Sequence, residues 1–558
     1  MKQEYDVCIV GSGAGAGPVA YELAHAGYRV LVLEKGPWLT EKDFTKDEIA
    51  CCRRNTYTPE LKDEPHAIEQ LINGEWKIRS NASSGWSFWN GNMVGGSSNL
   101  MSGFFHRMKP IDFRLLSEFG TIERANVVDW PIEYKDLEPY YEKTERIVGV
   151  SGRVVDHPFL EPRSTPDYPF PPSREHHFAK LVEQAGAKLS YQPIPLARAI
   201  LTNSLNERSA CIYSGYCGSY GCTSKAKGSS RAALLDPALK TGNCEIRPNS
   251  KVYFLESDSD GMVNKVHYYD LEGKMQNVQA RIVVVACQAV ETSRLLLLSK
   301  GKKHPNGLGN NHQQVGKNLL FSAGGIGSAE FHRSDFEKNA FESILDLNSF
   351  VNRALQDWYV IHDYPEFMNP IKGGTIDFLM GHANPIRRAI RQKRENGKLL
   401  WGESLKEKLE YSFHDTRRLE FEVFCDWLPT ENCFVSLDET YTDRWQTPVA
   451  RIRLANHPHD IKVGEYLAEK AKILLKEMGG RNIVSNISGL PPANLMAGGC
   501  RFGNDIKESV LDANCRIHDA PNVFVTDGSF MPTGGSVTHT FTIYANSFRV
   551  ADKIKEQL

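Results

Sequence analysis

Residues 6–36 read DVCIVGSGAGAGPVAYELAHAGYRVLVLEKG, and this stretch decides the fold of the chain. The apolar residues 7–10 predict a short buried strand, residues 18–25 a helix, and residues 29–33 a second strand. A glycine-rich turn joins the first strand to the helix, and Glu34 ends the second strand. Strand, turn, helix and strand in this order, with an acid about twenty residues beyond the glycines, are typical of a dinucleotide-binding unit.

Each position of this turn has a physical task. Gly11 makes the tight turn, Gly13 lets backbone N–H groups approach a pyrophosphate, and the small Ala16 lets the helix lie close to the strand. The positive end of the helix dipole favours the pyrophosphate charge. Glu34 is expected to accept a hydrogen bond from the adenosine ribose. The alternative is a tight turn that only joins packed elements, and the motif alone does not distinguish FAD from NAD.

Length and composition describe an ordinary globular protein of several domains. The 558 residues suffice for two or three packed domains, and 41% of them are apolar and 24% charged. A net charge of −2 without a basic arm gives no reason to expect nucleic acid as a partner. No signal peptide precedes the first strand, and no apolar run is long enough for a bilayer. We therefore expect a cytoplasmic protein, or a periplasmic one if a partner subunit exports both.

Later segments return to the sheet that the first strand begins. Residues 282–287 form a wholly apolar run, as in a strand covered on both faces, and residues 522–528 form an apolar strand ending in Asp–Gly. Residues 244–255 predict one strand, residues 419–427 alternate between apolar and polar like a half-buried strand, and residues 541–554 predict the last helix. The predicted fold class is α/β: a Rossmann-like nucleotide-binding domain interleaved with an α+β substrate domain built on an antiparallel sheet. The predicted domains are 1–150, 225–311 and 492–558 for nucleotide binding, 151–224 as a connecting region with a cysteine loop, and 312–491 for substrate.

Three other segments carry weaker signals. The paired glycines in GNMVGGSSN, residues 91–99, suit a backbone that lies against a flat ligand, and a flexible loop is the alternative. The polar stretch from residue 35 to about residue 80 is interpreted as an irregular excursion from the core. The charge-rich residues 387–418 predict a solvated helix face, with a docking or membrane-surface element as the alternative.

Seven motifs follow one another along the chain, and their combination in this order is far more specific than any single motif. They are GSGAGAG, VLEKG, VGGSSN, DWPIEYKDLEPYY, VVVACQAVETSRLLL, NVFVTDGSFMPTGG and TIYANSFRVADKI. With these motifs the chain resembles the glucose–methanol–choline (GMC) flavoprotein oxidoreductases over nearly its full length. The resemblance implies FAD rather than NAD as the cofactor, and the oxidation of an alcohol.

The resemblance also carries the FAD contacts over to this chain, residue by residue. The implied cofactor-binding residues are Gly11, Gly13, Ala14, Glu34, Lys35, Gly95, Gly96, Ser97, Asn99, Val252, Asp527, Gly528 and Thr540. Some relatives attach FAD covalently through a histidine just after the paired glycines. Residues 97–105 contain no histidine here, so noncovalent FAD is expected.

Twelve cysteines are scattered along the chain, and three of them, Cys211, Cys217 and Cys222, stand in the loop CIYSGYCGSYGCTSKAKG. This loop is similar to the branch that contains gluconate dehydrogenase and sugar dehydrogenase large subunits, which implies a 3Fe-4S cluster on the three thiolates. Each thiolate can bind one iron, whereas tetrahedral zinc would need a fourth ligand. The gap from Cys217 to Cys222 is one residue longer than the branch leads us to expect, and Thr223 replaces a frequent proline. A disulfide pair with one free thiol is the alternative.

The active-site motifs depart from the family pattern. Leu495 stands where the resemblance places a catalytic histidine, and Thr538 aligns with the usual second polar residue in the C-terminal turn. The neighbouring His539 is the predicted base, because a neutral imidazole has a pKa near working pH, and Asn494 or Thr538 would orient the substrate hydroxyl. The alternatives are a base elsewhere in the substrate domain, or a flavoprotein subunit that no longer catalyses.

The partners follow from the cofactors. The expected substrate is a small hydroxyl compound, a sugar in the nearest branch. With a cluster, electrons leave to a cytochrome or quinone acceptor, and a small exported subunit accompanies the chain. Without a cluster, oxygen is the acceptor and the protein is an oxidase.

Overall fold

Strands and helices alternate through the computed structural model, which describes residues 4–49, 57–83, 87–362, 364, 370–490 and 495–558. The strands are, in chain order, β1 (Tyr5–Val10), β2 (Val30–Leu33), β3 (Ala67–Ile72), β4 (Glu75–Ser80), β5 (Ile194–Pro195), β6 (Cys244–Arg247), β7 (Lys251–Ser257), β8 (Val263–Tyr269), β9 (Met275–Val278), β10 (Ala280–Val285), β11 (Leu319–Leu320), β12 (Ala323–His332), β13 (Arg353–Leu355), β14 (Val360–Ile361), β15 (Ile371–Lys372), β16 (Gly374–Leu379), β17 (Arg394–Glu395), β18 (Lys398–Leu399), β19 (Thr416–Cys425), β20 (Phe434–Thr442), β21 (Pro448–Leu454), β22 (Arg481–Asn486), β23 (Ala497–Gly498) and β24 (Val523–Val525). The helices are α1 (Gly17–His25), α2 (Leu115–Phe119), α3 (Tyr134–Thr144), α4 (His177–Leu189), α5 (Asp236–Lys240), α6 (Ala289–Leu298), α7 (Lys338–Ile344), α8 (Pro385–Arg391), α9 (Gly402–Glu410), α10 (Pro458–Glu477) and α11 (Thr540–Gln557).

A parallel sheet in the order β24–β10–β1–β2–β6 forms the core of the first domain. Every pairing in this sheet is parallel, and Val7 of β1 faces Ile282 of β10 and Val30 of β2. Its strands come from the two ends and the middle of the chain. Both faces are covered, which explains why β1, β2 and β10 are nearly continuous apolar runs. The predicted parallel nucleotide-type sheet is confirmed.

An antiparallel sheet in the order β22–β12–β19–β16–β13–β5 forms the second domain. The long helix α10 packs on one face of β12, β19 and β16. The alternating residues of β19 bury Leu419 and Phe421, whereas Glu420 and Glu422 point to the other face. The predicted antiparallel sheet is therefore confirmed.

Two local predictions were wrong. Residues 67–80, interpreted as part of an irregular excursion, form the β3–β4 hairpin, and β3 pairs in parallel with β21. The buried Glu69 of β3 accepts hydrogen bonds from Arg451 and Arg453 of β21. Because polar residues stabilise this strand pairing, the pattern of apolar residues does not predict it. The single strand predicted over 244–255 divides after Arg247, because Pro248 lacks an N–H and Asn249 has φ +53°.

The domain boundaries stay predictions. Strands β20 and β21 of the predicted substrate region share a sheet with β3 and β4 of the predicted nucleotide region. Within the described part of the chain, no helix combines the length and the apolar character that crossing a bilayer requires.

Candidate active site and cysteine cavity

The glycine-rich turn is packed so tightly that its shape is fixed. Gly11 has φ +94°, and a Cβ there would lie 2.3 Å from the carbonyl oxygen of Ala286. A Cβ on Gly15 would lie 2.7 Å from the backbone of Thr526, so this glycine gives β24 its close approach. Around the Cβ position of Gly13, by contrast, no atom lies within 4 Å. The turn therefore closes against β10 and β24 and leaves open space at Gly13.

That open space belongs to an elongated cavity, the nucleotide cavity, at the carboxyl end of the parallel strands. Of the residues predicted to bind cofactor or substrate, it is lined by Gly11, Gly13, Ala14, Glu34, Lys35, Gly96, Ser97, Val252, Gly528, His539 and Thr540. Three other predicted residues do not line the cavity and instead shape its walls. Gly95 donates to Ser12, Asn99 donates to the carbonyl oxygens of Val94 and Gly96, and Asp527 accepts from Ser529 and Gln288.

Glu34 is placed at the end of β2 as the motif predicts. Its carboxylate accepts hydrogen bonds from the Ser12 hydroxyl at 2.5 Å and from the Gly36 N–H at 2.8 Å. Burial raises the pKa of Glu34, while these two bonds oppose the rise. Ser12 also accepts from the Gly95 N–H at 2.9 Å. One hydroxyl thus joins the acidic residue, the first glycine turn and the paired-glycine loop.

Charged side chains border the end of the cavity near Val252. The Lys35 ammonium lies 2.8 Å from Glu64 and 3.6 Å from the ring centre of Trp89. Lys251 pairs with Asp443 at 2.5 Å. Both ammonium groups are paired with carboxylates, so the feature that suits an anionic ligand is the glycine turn, which presents backbone N–H groups at the start of α1. The residues present therefore fit a dinucleotide with its diphosphate at the turn.

His539 lines the same cavity and directly precedes α11. Its side chain is buried, and its Nδ1 has no hydrogen-bond partner among the described residues. Burial lowers the pKa of His539 to about 4, although Asp426 and the backbone of Leu495 oppose this shift. The imidazole is therefore neutral at pH 7 and has an unused nitrogen.

A buried ionic network holds the turn that carries His539. Asp426 accepts from the Gly535 N–H at 2.6 Å and from the Ser536 hydroxyl at 3.1 Å. Lys372 donates to the Ser536 hydroxyl at 2.8 Å and pairs with Asp112 at 3.2 Å. These charged residues are all buried, so each needs the others as partners. Sequence reasoning missed this network, since its members come from three distant segments and form no motif.

A second cavity, the sheet cavity, opens above the antiparallel sheet. It has a volume of about 1150 Å³ and is lined by Gly324 and Ile326 of β12 and by Glu420 and Glu422 of β19. The two cavities share five lining residues, which mark where they meet: Trp89, Asn90, Met101, Leu495 and Thr540. A planar ring at this junction would lie between the nucleotide cavity and the open space above the sheet.

The other predicted catalytic residues are placed differently. Thr538 lines the sheet cavity, and its hydroxyl donates to the carbonyl oxygen of Phe104 at 2.8 Å. Its oxygen can still accept a hydrogen bond. Asn494 lies outside the described residues. Leu495 has φ +57°, a strained conformation for a side chain of its size, at the junction of the cavities.

The three loop cysteines line a third cavity, the cysteine cavity, of about 90 Å³. All three are free thiols, so the alternative of a disulfide pair is not found. In the part of the chain that the structure describes, no three His, Cys, Asp or Glu side chains converge on one metal ion. This finding does not test a three-iron cluster, because its thiolates each bind a separate iron.

Buried cations surround these thiols. The Lys227 ammonium donates to the carbonyl oxygens of Asn99 and Cys217 at 3.1 and 2.9 Å. Burial raises the pKa of Cys222, but Lys227 and hydrogen bonds within the loop outweigh burial and bring it below its usual value. Arg198 is also buried close enough to Cys217 to interact with its charge. The cavity therefore favours negatively charged sulfur at Cys222, whereas burial raises the pKa of Cys211 to about 11.

The cysteine cavity adjoins the other two. It shares Ser102, Phe104, Leu379, Met380, Gly381 and His382 with the sheet cavity. Towards the nucleotide cavity, the wall is the segment 96–102, whose Ser97 and Met101 line that cavity and whose Ser102 lines this one. Adjacent residues of this short segment thus line the nucleotide cavity and the cysteine cavity.

Family models described as GMC oxidoreductase match residues 173–322 and 429–547. The chain is 29% identical to 2-methyl-1,2-propanediol dehydrogenase of Mycolicibacterium austroafricanum, over 99% of this chain and 95% of that protein. It is 25% identical to the fructose dehydrogenase large subunit of Gluconobacter japonicus, over 99% of this chain and 98% of that one.

Among solved structures, formate oxidase of Aspergillus oryzae has a similar fold. It superposes with a TM-score of 0.65 at 15% identity, over 99% of this chain and 98% of that chain. At this identity the likeness concerns the fold alone, and it covers both the parallel and the antiparallel sheets.

Proposed function

Because this chain belongs to the GMC oxidoreductase family, we propose that it binds FAD noncovalently and oxidises an alcohol group of a sugar, polyol or related hydroxyl compound to a carbonyl. The observation that carries the proposal is the junction of the nucleotide and sheet cavities, with the neutral His539 lining the former. When bound, FAD supplies the acceptor for the hydride removed from the carbinol carbon.

The chain's own residues supply the rest of the chemistry. The neutral imidazole of His539, which lines the nucleotide cavity, can take the hydroxyl proton, and the nearby Asp426 carboxylate favours the imidazolium that results. The Thr538 oxygen can accept a hydrogen bond from a substrate hydroxyl at the floor of the sheet cavity. Leu495 excludes water from the junction, where bulk solvent would compete for the proton.

Noncovalent binding is supported by the position of the nearest histidine after the paired glycines. His106 lies beyond the segment 97–105 and is buried against Asp377, with the ring Nε2 2.9 Å from the carboxylate. It does not line the nucleotide cavity. Acid precipitation should therefore release all the flavin into the supernatant, and flavin retained on the polypeptide would contradict the proposal.

Gly13→Val tests the cofactor site without disturbing the fold. The Cβ position of Gly13 faces open cavity with no protein atom within 4 Å, so the added carbons enter space that we assign to the diphosphate. We expect the variant to purify without visible flavin absorbance and with the melting temperature of the wild-type apoprotein. Gly13→Ala, which adds only one carbon, should retain part of the flavin. A valine variant that keeps its full flavin content would refute this placement.

The pH dependence of kcat/KM tests the base. Since burial lowers the pKa of His539 to about 4, its imidazole stays neutral down to about pH 5, and a base must be neutral to accept a proton. We expect kcat/KM to stay level from neutral pH to about pH 5 and then to fall as pH drops through about 4. An acid limb near the ordinary histidine pKa of about 6.5 would show that His539 is not the group that titrates.

We further propose that the cysteine cavity holds a 3Fe-4S cluster and that electrons leave through it. Three free thiols line one small cavity, buried cations lie near them, and residues of segment 96–102 line both this cavity and the nucleotide cavity. A one-electron exit favours a cytochrome or quinone acceptor over oxygen. A small exported subunit would accompany the chain, since the fructose dehydrogenase relative is named a large subunit. On this proposal the protein is a dehydrogenase.

Turnover with sugars and polyols separates this proposal from its alternatives. The holoenzyme should reduce an artificial one-electron acceptor without air and should produce little hydrogen peroxide in air. Peroxide as the main product would identify an oxygen-using oxidase without a cluster. A flavin that no sugar or polyol bleaches would favour a catalytically impaired subunit.

A further inference from the structure

Residues 385–401 form a basic and apolar surface, here called the platform. It comprises α8, the β17–β18 hairpin and Trp401. The platform contains six arginines and lysines and one acidic residue, Glu395, so its net charge is +5 in a chain of net charge −2. This segment was predicted to be a solvated helix face, but it also exposes large apolar side chains.

The apolar side chains protrude to an unusual degree. Trp401 is 80% exposed, Leu399 59%, Ile390 52% and Ile386 46%. Ile386 and Ile390 lie four residues apart on α8, so they share one side of the helix. Arg391, Lys393 and Lys398 are exposed among them. Tryptophan and aliphatic tips among arginines and lysines are the composition of segments that lie in the interface of an anionic membrane.

The platform is an ordered unit. The Leu400 N–H donates to the carbonyl oxygen of Lys393 at 2.8 Å and so extends the hairpin, and the Lys393 N–H donates to the carbonyl oxygen of Ile390 in α8 at 3.3 Å. Lys408 of α9 pairs with Glu395 at 2.8 Å. Because the backbone is already held in place, the side chains can enter a bilayer surface without first ordering the segment.

The platform lies next to the cysteine cavity. The Ala383 N–H, two residues before α8, donates to the carbonyl oxygen of Gly215 in the cysteine loop. The Tyr220 hydroxyl donates to the side-chain oxygen of Asn384. Ile212, which lines the cysteine cavity, is itself 64% exposed on this side.

We propose that the platform binds the surface of an anionic lipid bilayer, with its apolar tips among the head groups and its cations against the lipid phosphates. A folded protein partner would need a matching surface of about 800 Å², whereas a fluid bilayer accommodates a few separate tips. The proposal goes beyond alcohol oxidation and does not depend on it. It also places the cysteine cavity beside a membrane.

Vesicle sedimentation tests the proposal with the holoenzyme and without substrate. The protein should pellet with an equal mixture of phosphatidylcholine and phosphatidylglycerol, and not with phosphatidylcholine alone. The triple variant Arg391→Gln, Lys393→Gln and Lys398→Gln should lower the partition coefficient on the order of 100-fold, since each cation near an anionic surface adds about fivefold. Leu399→Ser with Trp401→Ser should weaken binding at every salt concentration.

A matched control separates the platform from general charge. Arg124→Gln with Lys135→Gln and Lys188→Gln removes the same charge from exposed positions elsewhere, at 87%, 75% and 67% side-chain exposure, and should leave most of the binding intact. Three results would overturn the proposal: no binding to the mixed vesicles, equal binding to both vesicle types, or equal loss in the control. Self-association abolished by Trp401→Ser would also overturn it and would assign the platform to a second copy of the chain. Retained flavin and turnover in every variant keep this test independent of the proposed reaction.

Discussion

His539→Gln is expected to lower the rate of flavin reduction by substrate about 10²- to 10⁴-fold, the range for losing a general base. Glutamine occupies nearly the volume of histidine and keeps a polar group near Asp426, but it cannot take a proton. Because the base acts in the chemical step, kcat should fall more than KM rises. Anaerobic stopped-flow measurement of flavin bleaching gives this rate directly.

His459→Gln is the matched control for this variant. Burial lowers the pKa of His459 to about 4 as well, and Asp426 interacts with its charge too, but it lines neither the nucleotide nor the sheet cavity. We expect an unchanged bleaching rate. Melting temperature and flavin content should stay the same in both variants. If His539→Gln bleaches at the wild-type rate, His539 is not the base, and a base elsewhere in the substrate domain becomes the explanation.

Cys217→Ser is expected to abolish the iron signal and to stop electron transfer to one-electron acceptors. The wild-type protein should carry roughly three irons per chain. It should also show an absorbance shoulder at about 400 nm and an EPR signal in the oxidised state. A serine hydroxyl does not replace the thiolate for iron. Bleaching of the flavin by substrate should persist, because the thiol does not line the nucleotide cavity.

Cys244→Ser controls for the loss of any thiol. Cys244 lies in β6 at the edge of the parallel sheet, where burial raises its pKa to about 12, so it stays protonated. Its replacement should leave iron content and EPR spectrum intact. Wild-type protein without iron after anaerobic purification would refute the cluster and would favour oxygen as the acceptor.

The sequence predicted the parts of this molecule that depend on local chemistry. The turn around Gly11 and Gly13 has few alternatives, because a tight turn and a close phosphate approach both need glycine. The position of Glu34 at the end of the second strand follows from the same strand–turn–helix–strand pattern. The strand at 282–287 was recognised because a strand buried on both faces must be apolar throughout.

Long-range polar arrangements could not be predicted in this way. Lys372, Asp112 and Asp426 meet beneath the His539 turn only after three segments have folded together, and no spacing in the sequence records that meeting. Glu69 similarly fixes the β3–β21 pairing through arginines almost four hundred residues away. In the sequence, Glu420 and Glu422 are only the polar residues of an alternating strand. That they line a cavity follows from the way the sheet is assembled in the structure.

The parallel sheet also constrains when the protein can first hold its nucleotide. Strand β24, at one edge of that sheet, and helix α11, which begins at the cavity, both lie within residues 523–557, far along the chain from β1 and β2. A nascent polypeptide that has not yet emerged from the ribosome to residue 557 lacks one border of the pocket and the imidazole beside it. Flavin capture therefore requires residues 523–557 to have emerged and folded, and products that terminate before residue 523 are expected to be colourless.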